Sequence, residues 1–472
     1  MTEPGTTSVA STPVAPSAPS SASASRSQSI PSIAAALNPL RAALRELSTV
    51  AERGRVTEVL GTLVRATGIQ VQVGELCELR SRQHPTLRAE VVGFRANSAI
   101  LTPFGDIAGL SNETEVIATN RRFTVQTGPG LLGRVLDGFG SPIDGLGPLS
   151  GGRPALVDAD PPPPLVRRPI DKVCQTGIRV VDSLLTVGQG QRIAIVAPVG
   201  VGKTTLMGML ARGTRADVNV VALIGERGRE VVEFVERTLG PEGLKRSVVV
   251  VTTSDRPAVE RAKCAQVATA IAEGFRRDGQ HVLLLVDSVT RYARALREIG
   301  LASGEAPTRR GFPPSVYAAL PRLLERAGND ARGTITAFYT LLLEGDEESD
   351  PIAEEVRSLL DGHLQLSKTQ AQAGQFPAID VLGSLSRVMP AITPAEQQKA
   401  SFKVRGWLAK YRDIELLLQM GEYQKGSDSE ADEAIARMPR LKKFLHQPPD
   451  EFTATAAAHE ALLGLVGGAA NG

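Results

Sequence analysis

Three cysteines, one tryptophan, five histidines and an aromatic share of 4% exclude several function classes before any motif is read. Cys77, Cys174 and Cys264 are odd in number, far apart and without a C-x-x-C pair, so buried or incidental thiols of a reducing compartment are expected. His84, His281, His363, His446 and His459 show no ligand spacing, which argues against a protein-held metal centre. Charge of one sign is missing as well. Against 53 basic side chains stand 51 acidic ones, and the formal charge of +2 makes no electrostatic case for nucleic acid or for an anionic membrane. No apolar run approaches the roughly 18 residues of a membrane span, and the first residues lack the basic and apolar regions of a signal peptide. A cytoplasmic protein is expected, or one held at a membrane by a partner.

What is present divides 472 residues into several regions. Residues 1–30 are Ser, Ala, Pro and Thr with few large apolar side chains, and are expected to be a disordered tail. Asn38-Pro39 reads as a helix start, and Leu40, Leu44 and Leu47 then form an apolar stripe within a helical segment, 31–54. That stripe either packs on the protein itself or docks another protein. Over 55–125, short β-branched runs broken by glycine suggest a small antiparallel barrel without the basic–aromatic stripe of an oligonucleotide binder. Gly128 to Gly133 matches G-x-G-x-x-G by letter, but turn residues follow where a dinucleotide fold needs a helix, so it is discarded. Pro161–Pro164 is a stiff linker. Across 126–390, apolar strands at 192–196, 218–224, 247–252, 281–287 and 333–342 alternate with helices at 229–239 and 259–275, which predicts an α/β domain on a parallel sheet. Residues 391–447 read as helical, with Phe402, Leu408, Tyr411 and Leu418 as the apolar face, and 448–472 as a loosely ordered tail.

The densest signal is Ala197-Pro-Val-Gly-Val-Gly-Lys-Thr204, between a buried strand and a helix start. Strand, glycine turn and Gly-Lys-Thr at a helix N-terminus form the phosphate cradle of P-loop nucleotidases. Val199, Gly200, Val201, Gly202, Lys203, Thr204 and Thr205 would wrap the nucleotide, Lys203 reaching its β- and γ-phosphates. The Thr204 hydroxyl would ligate Mg²⁺, so a nucleotide with β- and γ-phosphates and Mg²⁺ are expected. Ala197 replaces the first glycine of the pattern, which is tolerable only at negative φ. Asp287 ends a buried strand expected beside that of the P-loop, where a carboxylate holds Mg²⁺, often through water. Glu226, on a Gly-flanked turn after the second strand, is placed to orient and polarise the attacking water. Arg227 and Arg229 are either charge stabilisers or a solvated helix start, and Glu230 and Glu233 read as first-turn helix acids.

Gly225-Glu-Arg-Gly-Arg-Glu230, Asp287-Ser-Val-Thr-Arg-Tyr292 and its continuation to Ile299, Gly311-Phe-Pro-Pro-Ser-Val316 and Ala378 to Met389 resemble the export ATPases of type III secretion systems and of the flagellum. These are relatives of the catalytic β subunit of rotary ATP synthases. The resemblance implies a RecA-like P-loop core with a parallel sheet, a small N-terminal β-barrel and a C-terminal helical domain. It also implies a homo-hexameric ring that hydrolyses ATP, releases chaperones from export substrates and unfolds them. Arg387 matches the arginine finger that enters the neighbouring subunit's site, Phe376 the ring stacked on adenine, and Arg227 a γ-phosphate ligand; Arg291 would order the same site. The implied partners are a stator protein on the N-terminal helix, a coiled-coil stalk near the acidic turn Glu344–Asp350, and chaperone–effector complexes on the C-terminal helices. The implied location is the cytoplasmic face of the inner membrane, through the secretion apparatus. Met420 to Asp428 favours the injectisome branch over the flagellar one. A rotary synthase subunit, a hexameric nucleic-acid translocase and a static nucleotide-binding scaffold are the alternatives.

Overall fold

The computed structural model describes residues 53–81, 84–343 and 350–467. The tail 1–30, the stripe Leu40, Leu44 and Leu47, and the acidic turn up to residue 349 lie outside them. Of the helix expected over 31–54, only Arg53 and Gly54 are described, and they open a strand.

Alternating burial closes six short strands into an antiparallel barrel: β1 (Arg53–Leu60), β2 (Leu63–Thr67), β3 (Glu75–Arg80), β4 (Leu87–Arg95), β5 (Ser98–Pro103) and β6 (Glu115–Arg122), in the order β1-β2-β5-β4-β3-β6. Val56, Val64, Leu79, Val91 and Leu101 fill it. Beyond it β7 (Thr124–Thr127) pairs with β9 (Arg153–Leu156) around β8 (Val135–Asp137). Gly128 to Gly133 opens only a 3-10 turn at Pro129–Leu131, in keeping with its dismissal as a dinucleotide loop.

The chain then alternates. In order come α1 (Arg179–Leu184), β10 (Arg192–Pro198), α2 (Lys203–Gly213), β11 (Val218–Glu226), α3 (Gly228–Glu233), α4 (Gly240–Lys245), β12 (Ser247–Thr253), α5 (Ala258–Arg277), β13 (His281–Asp287), α6 (Val289–Ala302) and α7 (Pro314–Leu324). After them come β14 (Gly328–Asn329), β15 (Thr334–Leu343), α8 (Pro351–Leu359), β16 (Gly362–Gln365), α9 (Lys368–Gln372) and β17 (Leu385–Ser386). The helix expected over 229–239 widens into a π-turn at Phe234–Leu239. The sheet runs β17-β16-β10-β15-β13-β11-β12-β8; every pair along it is parallel except β16 with β17. Its central strands are largely apolar because both faces are covered. On β11, Val220, Ala222 and Ile224 meet the layer of α5, α6 and α7, while Val221 and Leu223 meet the layer of α1 and α2.

Four helices end the described chain: α10 (Met389–Ile392), α11 (Ala395–Met420), α12 (Ser429–Leu445) and α13 (Thr455–Gly467). Two expectations fail here. Phe402 is 81% exposed. The buried stripe of α11 is Ala400, Val404, Trp407 and Ile414, because Phe402 sits two residues, or about 200°, round the helix from Ala400. The loosely ordered tail is corrected over 455–467, where α13 buries Ala458, Leu462 and Leu465. Its small side chains allow close approach to α1, and the Thr455 hydroxyl donates to the buried Asp182 carboxylate at 3.2 Å. Among the described residues, no helix is long and apolar enough to cross a membrane. Cys77, Cys174 and Cys264 are buried free thiols, each pushed up to about 12 by burial.

Candidate active site

The turn after β10 reverses through Gly200 and Gly202, whose φ angles of 82° and 89° suit a residue without Cβ. Ala197 meets the condition set for it, since it ends within the strand, buried and at negative φ. Lys203 opens α2, so the first backbone N–H groups of that helix and its positive dipole end face the turn. Val201 is buried and anchors the loop, while Val199 is 77% exposed. Thr204 and Thr205 are exposed on the first turn of the helix.

Lys203, Asp287 and Glu226 converge. The Lys203 Nζ donates to Asp287 Oδ1 and lies 3.9 Å from Glu226 Oε1. Asp287 ends β13 as expected, but not beside the P-loop strand: β15 lies between β10 and β13. The insertion brings in a residue that the sequence reading passed over. Thr340 of β15, fully buried, donates from Oγ1 to the same Asp287 oxygen at 2.7 Å. Its hydroxyl gave no signal in the sequence, because β15 also carries Thr334, Thr336 and Tyr339.

Glu226 closes β11 through a bulge. Register with β12 shifts between Ile224 and Glu226, and Gly225 takes φ 64°. That extra residue turns the carboxylate into the site, where it is 7% exposed. Arg291 of α6 reaches Glu226 Oε2 at 3.3 Å, while Oε1 is buried and has no hydrogen-bond partner among the described residues. Burial first, then the charge of Asp287, pushes the Glu226 carboxyl up to about 7, with Lys203 and Arg291 opposing. Glu230 occupies the first turn of α3 as expected, and its neighbouring carboxyl also helps to push Glu226 up.

Three candidates stand outside this cluster. Arg227 points outward, 76% exposed, and pairs with Glu230 at 3.3 Å. Phe376 lies beside the P-loop: a Cβ added at Gly202 would sit 3.4 Å from its ring. The Phe376 carbonyl accepts from Gln447 N at 2.8 Å, so the C-terminal segment holds it in place. Arg387 is exposed after β17, its backbone N–H bonded to Asp361 O, while Asp361 N–H bonds to Arg192 O at the start of β10. The P-loop follows the other end of that strand, about 20 Å away at roughly 3.3 Å per residue. Arg387 therefore cannot serve the P-loop of its own chain.

The oxygen groups present suit a hard divalent cation. The Thr204 hydroxyl is open, the Asp287 carboxylate is fixed nearby, and the buried Glu226 Oε1 is unsatisfied. Among the described residues no group of three His, Cys, Asp or Glu side chains forms a closed metal cage.

The family model described as the ATP synthase alpha/beta family, nucleotide-binding domain, matches residues 177–386. The beta-barrel domain of that family matches residues 56–120, and the T3SS EscN ATPase C-terminal domain matches residues 393–463. The Type 3 secretion system ATPase of Xanthomonas euvesicatoria is 58% identical over 414 residues, 87% of this chain and 94% of that protein. The Flagellum-specific ATP synthase of Bacillus subtilis is 49% identical over 88% of this chain and 95% of its own length. Among solved structures, the assembled ATPase EscN in complex with its central stalk EscO, from the type III secretion system of enteropathogenic E. coli, superposes with a TM-score of 0.80. Identity there is 43%, over 88% of this chain and 100% of that one. With its barrel, its P-loop sheet and its C-terminal helices each matched, the chain belongs to the type 3 secretion system ATPases, within the wider ATP synthase alpha/beta family.

Proposed function

We propose that this ATPase hydrolyses Mg·ATP at the Lys203 cluster and works as a homo-hexameric ring at a protein secretion apparatus. One observation carries the site: Lys203, Asp287 and Glu226, from three different elements, meet over the P-loop turn. The backbone of Val199 to Thr205 would cradle the phosphates, with Lys203 leaving Asp287 to reach the β- and γ-oxygens. Mg²⁺, held by the Thr204 hydroxyl and through water by Asp287, would supply charge to offset the phosphate oxygens. Glu226 would accept a proton from the attacking water or orient it. Phe376, beside Gly202, would stack on the base. Arg227 would turn inward to the γ-phosphate once nucleotide charge is present, releasing its surface pair with Glu230.

Arg387 supports the ring, because an exposed guanidinium this far from its own P-loop can act only in another copy. The partners follow from exposed surfaces and from the EscN–EscO relative. A central stalk protein would occupy the ring's axis, as the relative's stalk does in name. Chaperone–effector complexes would dock on α11, which leaves Phe402, Leu416, Leu417 and Met420 exposed. The ring would free and unfold export substrates at the cytoplasmic face of the inner membrane, with a stator on the N-terminal segment. The 58% identity to the Xanthomonas type 3 secretion ATPase and the match to the T3SS EscN C-terminal domain support the injectisome branch.

Steady-state ATP turnover by Lys203→Ala protein tests the site. A loss of at least about a hundredfold is expected. Turnover at the parental rate would remove the assignment.

A further inference from the structure

We propose that Thr340 is a positioning residue that fixes the Asp287 carboxylate for the nucleotide-bound metal; this rests on the site reading above. β15 lies between the P-loop strand and the Asp287 strand, with Thr340 level with Ile195 on β10 and one step beyond the Tyr339–Val286 pair on β13. Two residues earlier, Phe338 faces the layer that contains α2, so Thr340 shares the side from which Lys203 approaches. The Thr340 hydroxyl and the Lys203 ammonium both donate to Asp287 Oδ1.

These two donors have different futures. Lys203 is a long, flexible side chain on the first turn of α2, and it must leave Asp287 to bind phosphate. Thr340 is β-branched, stiff at χ1 and set in a buried strand, so it has nowhere to go. When the ammonium leaves, a carboxylate that is 3% exposed keeps one fixed donor. That donor holds one oxygen and so sets the plane of the group, which lets Asp287 meet the water shell of Mg²⁺ without searching. Lys203 guards the carboxylate in the empty site, and Thr340 guards it in the filled one. Outer-shell hydrogen bonds of this kind set about 10- to 100-fold in metal affinity.

The test is calorimetric titration of the full-length protein with ADP, in excess MgCl2 and again in EDTA, alongside thermal unfolding. Thr340→Val keeps shape and strand propensity but removes the hydroxyl. It should weaken ADP binding at least about tenfold in MgCl2 while leaving the EDTA affinity and the melting temperature near parental values. Thr340→Ser, which restores the hydroxyl, should bind like the parent in both. Should the valine protein not fold, Thr340→Ala gives the same readout. A Thr340→Val protein with parental MgCl2 affinity overturns the proposal. So does equal weakening with and without Mg²⁺, or a folded Thr340→Ser protein that behaves like valine. Asp287→Asn separates the two levels: if it keeps full Mg²⁺ dependence, the underlying site reading fails, whatever Thr340 does.

Discussion

Glu226 shows how burial would prepare a side chain for the proton-accepting role proposed for it. Its carboxyl is pushed up to about 7 because it is buried and faces Asp287, and Lys203 and Arg291 only partly compensate. A proton acceptor must be ionised, so below about pH 7 the competent fraction falls roughly tenfold per unit, and above it the fraction saturates. kcat/KM for ATP should therefore rise through pH 7 and level off, as a stopped pH series would read. Glu226→Gln should lower kcat by about 10²- to 10⁴-fold and abolish that inflection. It should still bind ADP, because Lys203 and the turn are untouched. A retained inflection in the glutamine variant would assign the titration to another group.

At the scale of elements, two short features place these residues. The bulge at Gly225 is one extra residue in β11, and without it Glu226 would follow the strand's alternation. Gly225→Ala puts a methyl at φ 64° and 3.3 Å from Arg291 Cδ. The left-handed strain costs about 1–2 kcal/mol. ATP turnover should fall by more than that strain would suggest, since both Glu226 and Arg291 are displaced, and a far-ultraviolet spectrum should stay parental. The second feature is the C-terminal strap. Gln447 holds Phe376, and α13 then seals α1, with Leu462 fully buried. Leu462→Ala should destabilise by about 2–5 kcal/mol in urea titration, a large effect for a residue outside the Lys203 cluster. A negligible change would mean that α13 is not part of the folded core.

For the whole molecule, the decisive geometry is the distance between the two ends of β10. Lys203 lies past one end and Arg387 beside the other, so on the reading proposed above a complete site would take halves from two copies. Mixing separates this from an ordinary surface arginine. Lys203→Ala and Arg387→Ala proteins should each be inactive, and their mixture should recover a fraction of the parental turnover at interfaces that join an intact P-loop to an intact arginine. Mixed rings of confirmed stability with no recovery would remove that role from Arg387.

Composition and local pattern determined a great deal by themselves. Glycine turns need positive φ, apolar β-branched runs need two covered faces, and a lysine at a helix start faces anions; these are short-range constraints that the chain carries in its letters. Lys203, Glu226 and Asp287 were legible for that reason. Strand order was not, because nothing local to residues 281–287 or 334–343 says that β15 inserts between β10 and β13. Hence Thr340, whose partner lies 53 positions away, read as one more strand residue. The same limit hid the order in α13: a stretch rich in alanine and glycine has little to bury on its own, and it was the fit of Ala458, Leu462 and Leu465 against α1 and its neighbours, a tertiary matter, that decided it.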